Sequence, residues 1–149
     1  MPYVKIYLHT VWATKSRKKL ITKEIRQQIF DHILENAKKK DIHIIEINGY
    51  LEHVHCVISL KQEQNISTVM NLIKGESSYW INRNKLINTK FGWQDEYFAV
   101  SIGESQLPDV TRYIKEQEKH HQKKSFQQEY DEFIEKYGFM KFDEYSLKG

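Results

Sequence analysis

The feature that constrains this chain most is a pair of strand-length runs with a turn signal between them. Ile42 to Ile47 is rich in β-branched residues, Tyr50 to Leu60 carries a second apolar run, and Asn48-Gly49 between them favours a tight reversal. A hairpin in the middle commits the chain to an antiparallel sheet, on which the rest must pack. The richest stretch of the second strand, Val54-His55-Cys56-Val57-Ile58, is far short of the ~20 apolar residues that cross a bilayer. No membrane partner is expected.

The flanking segments supply the remaining elements. Tyr3 to Trp12 alternates as a first strand, with Val4, Ile6 and Leu8 on one face and Tyr7, His9 and Val11 on the other. A helix capped at Thr22 follows, with Ile25, Ile29, Ile33, Leu34 and Ala37 at helical spacing, ending near Lys38-Lys39-Lys40. From Asn65 a second helix carries Val69, Leu72, Ile73, Tyr79 and Trp80, and a close contact would explain Gly75 in its interior. A turn at Phe91-Gly92-Trp93-Gln94 leads to a fourth strand, Tyr97 to Ile102. A third helix opens at Pro108 and runs through Val110, Tyr113, Ile114 and Gln117. Ser125-Phe126-Gln127-Gln128 is a capping box for a last helix whose inner face holds Phe126, Phe133, Ile134 and Tyr137.

This order, β-α-β-β-α-β and then two helices, predicts an α+β ferredoxin-like fold. It has a split βαβ antiparallel sheet with helices on one face and a further helix towards the C-terminus. Neither repeat nor linker interrupts it, so one domain over 1–149 is expected. Gly and Pro together number only eight of 149 residues, too few for a disordered or collagen-like chain. The single cysteine, Cys56, excludes an internal disulfide and a multi-cysteine zinc site. With no apolar signal segment near the start, the expected location is the cytoplasm. Residues 1–40 hold ten Lys/Arg against three Asp/Glu although the net charge is only +3, a basic part that suits a polyanion or simply a solvated face.

Two clusters could carry chemistry. His53 and His55 are two apart on a strand and share a face, near enough to bind one divalent ion, or else they are two surface histidines. Tyr113 and Gln117 are four apart on a helix, where the phenol suits a nucleophile and the amide oxygen a third ligand; the plain alternative is an amphipathic helix with a buried tyrosine.

These residues lie in segments that resemble a known family. Gly49-Tyr50-Leu51-Glu52-His53-Val54-His55-Cys56-Val57-Ile58 resembles the histidine-hydrophobic-histidine strand of the HUH single-tyrosine transposases, small enzymes of insertion sequences and of REP-associated elements. Leu8 to Lys15, Ile73 to Ser77, Trp93 to Phe98, Tyr113 to His121 and Phe126-Gln127-Gln128-Glu129-Tyr130 look, in order, like other segments of that family. Glu52 stands where many relatives have aspartate.

The resemblance implies a transposase that cleaves and rejoins single-stranded DNA through a 5′-phosphotyrosine on Tyr113. It further implies Mg2+ or Mn2+ on His53, His55 and Gln117, hairpins at element ends, and a homodimer. Lys15, Arg17, Lys18, Lys19, Lys74, Arg112, Lys115, Lys119, Lys123 and Lys124 are the expected DNA contacts, with Trp12, Trp80 and Trp93 as possible stacking surfaces. A domesticated enzyme acting on REP hairpins, a non-catalytic single-strand-binding module and a metal-dependent hydrolase are the other readings. Tyr50 is the rival nucleophile, and His120 and His121 have no assigned role.

Overall fold

The computed structural model describes residues 2–137. β1 (Ile6–Thr14), β2 (His43–Gly49), β3 (His53–Leu60) and β4 (Trp93–Ile102) form one four-stranded sheet in the order β2-β3-β1-β4, all neighbours antiparallel. With α1 (Lys23–Lys39) and α2 (Ile66–Arg83) this is the expected split βαβ arrangement. Three shorter helices follow: α3 (Leu107–Lys115), α4 (Gln117–His120) and α5 (Phe126–Tyr137). Among the described residues no helix is long and apolar enough to cross a membrane.

Alternation along β3 divides the molecule into layers. Val54, Cys56 and Ile58 turn to one side, into the main core with Trp12, Ile29, Ile33, Met70 and Ile73 beneath α1 and α2. His53, His55 and Val57 turn to the other, which the C-terminal helices cover. Two smaller apolar clusters hold that cover down: Val57 with Ile102 and Ile114, and Val11 and Ala13 with Phe126. The helices that build the fold thus lie on one face, as expected, and the C-terminal ones on the opposite face.

Several boundaries differ from the sequence reading for identifiable reasons. β1 begins at Ile6, the last residue paired with β3, and leaves Tyr3 exposed. β4 begins at Trp93, within the expected turn, because Trp93 pairs with Thr14 while its indole N–H donates to the Ser77 hydroxyl (2.9 Å) in the core. Trp12 and Trp93 are both buried, which removes them as stacking surfaces, and Trp80 stacks on His32 with ring centroids 4.0 Å apart. Thr22 holds the N-cap of α1 without a side-chain cap bond. The capping box of α5 is formed in full: Gln128 N–H donates to Ser125 Oγ (3.1 Å), and Ser125 N–H donates to Gln128 Oε1 (2.9 Å).

The reversal between β2 and β3 comes after Asn48-Gly49, at residues 50–52, and both of those residues have other work. A Cβ on Gly49 would lie 2.2 Å from the His53 carbonyl oxygen, so only glycine fits that approach. The Asn48 amide donates to the carbonyls of Ile114 (2.9 Å) and Lys115 (3.1 Å), which lie at the end of α3. Gly75, by contrast, has nothing within 4 Å of a would-be Cβ, so the close contact expected there is absent.

The two glycines therefore have opposite mutational signs. Gly49→Ala is expected to lower stability in urea by at least about 2 kcal/mol, since backbone must move. Gly75→Ala, in an open helical position, is expected to raise it by about 0.5–1 kcal/mol.

Candidate active site

The strand places His53 and His55 side by side, and each imidazole is held at Nδ1. His53 Nδ1 meets Glu52 Oε1 at 2.7 Å, and His55 Nδ1 shares a hydrogen bond with His9 Nε2 at 2.9 Å. The two Nε2 atoms then converge on one oxygen, Oε1 of Glu129, at 3.2 Å from His53 and 2.9 Å from His55. Phe126 fixes the His53 ring from the side, stacked at 4.1 Å with planes 5° apart. Both histidines are fully buried.

Tyr113 and Gln117 reach the same point from above, but not along one continuous helix. The chain breaks at Glu116 (φ −96°, ψ 21°), so Tyr113 lies in the last turn of α3 and Gln117 starts α4. The Asn48 amide supplies the reason, because it occupies the Ile114 and Lys115 carbonyls that a continued helix would use. Gln117 Oε1 lies 3.0 Å from His53 Nε2, and its Nε2 donates to Glu129 Oε2 at 3.3 Å. The Tyr113 hydroxyl donates to the same Glu129 oxygen.

Glu129 is thus the hub of the cluster, and the sequence reading left it in the closing segment without a role. The available signal was its place in α5: a carboxylate three residues after Phe126 and four before Phe133, on the apolar stripe. His9 and His121 were also unassigned. His121 Nε2 lies 3.2 Å from Gln117 Oε1 and 3.4 Å from Glu129 Oε1, while the His120 ring packs against Tyr113 at 4.6 Å. Tyr50, the rival nucleophile, stacks on His121 at 5.1 Å beneath the Arg26 guanidinium. Tyr145 lies outside the described residues.

A family model described as "Transposase IS200 like" matches residues 2–117. The chain belongs to the IS200-like transposase family. It is 22% identical over 114 residues to the ISDra2 transposase TnpA of Deinococcus radiodurans, covering 73% of this chain and 81% of that one. It is 24% identical over 115 residues to the IS200 transposase of Salmonella typhimurium, covering 73% and 74%. Among solved structures, a Deinococcus radiodurans protein assigned as a transposase superposes with a TM-score of 0.64 at 20% identity, over 78% of this chain and 95% of that one. A REP-associated tyrosine transposase bound to a REP hairpin superposes with a TM-score of 0.61 at 16% identity, over 81% and 72%. The α+β fold is shared with both. Glu129 lies beyond the stretch that the IS200-like family model matches.

In this family member the donor set fits a divalent cation. One ligand atom from each of His53, His55 and Glu129 lies within 4.8 Å of the others, and the Gln117 amide oxygen borders the same point. Two imidazoles whose Nδ1 atoms are already engaged, with a carboxylate and an amide oxygen, make a mixed nitrogen-oxygen site that suits such ions. The proton balance is uneven. Burial opposes charge on His53, but Glu129 and Glu52 outweigh it and raise its pKa. Burial lowers His55, with its histidine neighbours adding to the effect, and pushes His9 down to about 3. Burial would raise Glu129, yet hydrogen bonds from His121, His53 and His55 hold it far below the usual carboxylate range. Burial and the Glu129 charge together raise the Tyr113 phenol well above its ordinary value.

The expected DNA contacts fall into distinct groups. Lys15, Arg17, Lys18 and Lys19 follow β1, and Arg17 and Lys19 share a groove of about 460 Å³ with Lys123, Lys124, Tyr50 and His121. Lys124 also pairs with Glu132 (2.6 Å). Arg112 pairs with Asp109 (3.2 Å), Lys115 lies 4.0 Å from Glu46, and Lys119 is exposed on α4. Lys74 does not join the site: its ammonium donates to the Asp95 carbonyl (2.8 Å) and lies over Tyr97 on the face of α2, away from the histidines.

His9 makes the metal-free protein acid-sensitive. Its folded pKa of about 3 lies below the ordinary histidine value of 6.5, so the folded state binds fewer protons between those values and stability falls as the pH drops below about 6.5. His55 acts in the same sense and His53 in the opposite one. In EDTA, urea stability is expected to fall by roughly 2 kcal/mol from pH 6.5 to about 5, and His9→Gln is expected to flatten that slope. A wild-type curve flat over this range would contradict it.

Proposed function

We propose that this IS200-like transposase cleaves and rejoins single-stranded DNA by transesterification, using Tyr113 as nucleophile. Mg2+ or Mn2+ would be held by His53, His55 and Gln117 together with Glu129. The observation that carries this reading is convergence: the Tyr113 hydroxyl and the Nε2 atoms of both histidines all meet one buried carboxylate. A nucleophile and a cation site that share one residue can act on the same phosphate.

The chemistry follows from what each side chain does. A cation bound there would offset negative charge on the non-bridging phosphate oxygens. His53 and His55 present Nε2 because Glu52 and His9 hold the opposite ring nitrogens. Tyr113 Oη attacks phosphorus and the bond to the 3′ oxygen breaks, leaving a 5′-phosphotyrosine and a protonated 3′-hydroxyl. The phenolic proton passes to Glu129 Oε2, which already accepts it in a hydrogen bond, and from there to the departing 3′ oxygen. Attack by a 3′-hydroxyl on the phosphotyrosine reverses the step and rejoins DNA without ATP. A recess of about 240 Å³ lined by His9, Asp109, Tyr113, Glu129, Phe133 and Lys136 gives the strand a way to the hydroxyl.

The REP hairpin bound by the structural neighbour supports hairpin-bearing strands as the substrate here, and the family resemblance supports a homodimer. Tyr113 stands beside the histidines of its own chain, its ring 5.8 Å from that of His55, an arrangement that supports attack in cis.

The test is incubation with Mn2+ and labelled single-stranded DNA from the protein's own locus, read on a denaturing gel. Wild type is expected to form a covalent adduct and Tyr113→Phe none, with DNA binding changed by less than about twofold, since only the nucleophilic oxygen is lost. His53→Ala is expected to lose both the adduct and the rise in Tm that Mn2+ gives the wild type. An adduct at wild-type level from Tyr113→Phe would sink the assignment.

A further inference from the structure

A second recess lies beside the site, on the same face of the sheet. Alternation along β4 turns Gln94, Glu96 and Phe98 to the face that carries Val11 and Ala13, with Phe98 directly opposite Val11. Ala13 is the small side chain in this row. Phe126 and Tyr130 of α5 form the adjoining wall, with the Tyr130 ring edge-on to Phe98 at 4.9 Å, and the half-open space beside them is about 330 Å³, within the range of small-ligand sites (about 300–1,000 Å³).

The turn after β1 closes this recess with a cation at a conformational cost. Ser16 (φ 60°) and Arg17 (φ 52°) are consecutive non-glycine residues in the left-handed region. Such backbone persists where its surroundings over-determine it, and often at functional positions. Here it sets the Arg17 guanidinium 4.9 Å from the Phe126 ring centre and 4.6 Å from that of Tyr130. The Ser16 N–H donates to Gln94 Oε1 at 3.3 Å, tying the turn to β4. Lys18 and Lys19 follow directly and are exposed.

We infer that this recess binds one unpaired nucleobase of the DNA strand, and that it takes a base bearing an exocyclic amino group over thymine. The inference rests on the single-strand reading above and adds a base preference to it. Aromatic walls suit any base, because every base has a π face. Arg17 and the lysines after it would neutralise the attached phosphates. The polar lining decides among bases. A carboxylate in the path of a polyanion is unfavourable unless it accepts a donor, and Glu96 would accept from the amino group of cytosine, adenine or guanine. Thymine carries no amino group, and its one donor on that edge, N3–H, is flanked by two carbonyl oxygens that would lie against that carboxylate. The location is apt as well, because Phe126 is the shared wall: the ring that lines the recess also stacks on His53. A base held here lies next to the phosphate proposed to bind at the histidines.

The experiment compares fluorescein-labelled oligo(dA), oligo(dC) and oligo(dT) of equal length by anisotropy at fixed salt. Wild type is expected to bind the amino-bearing oligomers about five- to tenfold more tightly than oligo(dT). Glu96→Gln, an exposed substitution that leaves packing alone, is expected to reduce that ratio to about one. Photo-crosslinking with oligonucleotides containing 5-iododeoxycytidine is expected to label the peptide that carries Tyr130 or Phe98. No base preference in wild type, a preference that Glu96→Gln keeps, or labelling confined to other peptides would each overturn the inference. The adduct assay separates the two readings. A wild-type adduct without base preference removes the recess alone, whereas a base preference with no adduct removes the transesterification and leaves a base-binding site.

Discussion

One buried carboxylate holds the upper half of this molecule together. Glu129 is 1% exposed, and a charge so placed is tolerated only where hydrogen bonds replace the lost water. Here His53, His55, Gln117, His121 and Tyr113 all supply polar atoms. They come from β3, α3, α4 and the loop after it, while Glu129 itself comes from α5. The small apolar clusters around Val57 and Val11 bring these helices to the sheet, and the carboxylate determines where they stop.

Other side chains serve the same point indirectly. The Asn48 amide, at the end of β2, takes two carbonyls of α3 and thereby ends the helix that carries Tyr113. That break separates Tyr113 from Gln117 in the helical register while letting both face Glu129. Gly49 permits the close backbone approach at His53, and Glu52 then holds the imidazole of that residue. Four residues within a six-residue stretch of one hairpin, Asn48, Gly49, Glu52 and His53, thus orient both halves of the site.

What was legible in the sequence followed from short-range periodicity. The period of two placed His53 and His55 on one face, the helical period placed Phe126 and Phe133, and the Ser125 capping box marked the start of α5 to the residue. The antiparallel sheet with α1 and α2 on one face followed from the hairpin together with the order of elements along the chain. What was not legible depended on contacts between distant segments. Trp93 reads as part of a turn next to Gly92, yet its indole bond to Ser77 and its pairing with Thr14 draw it into the strand. Asn48 reads as a turn residue, yet its amide is taken by α3, 66 residues away. Glu129 was visible only as an acid on an apolar stripe, and that pattern becomes a site only once β3 is known to lie opposite.

The two histidines of the motif, equivalent by spacing, are made unequal by their neighbours. His53 lies between two carboxylates and keeps its proton more readily than an ordinary histidine, whereas His55, between His9 and Glu129, keeps it less readily. A cation in the proposed site needs both imidazoles neutral at Nε2, so its binding would displace a proton chiefly from His53. The charge that Glu129 now shares with the histidine cluster would then be answered by the cation. In the metal-free arrangement the negative charge of Glu129 helps hold the proton on the Tyr113 phenol, and a cation there would offset that charge and bring the phenol back down towards its ordinary range. The same residue would therefore keep the proposed nucleophile quiet when the histidines stand alone and would belong to the ligand set when they do not.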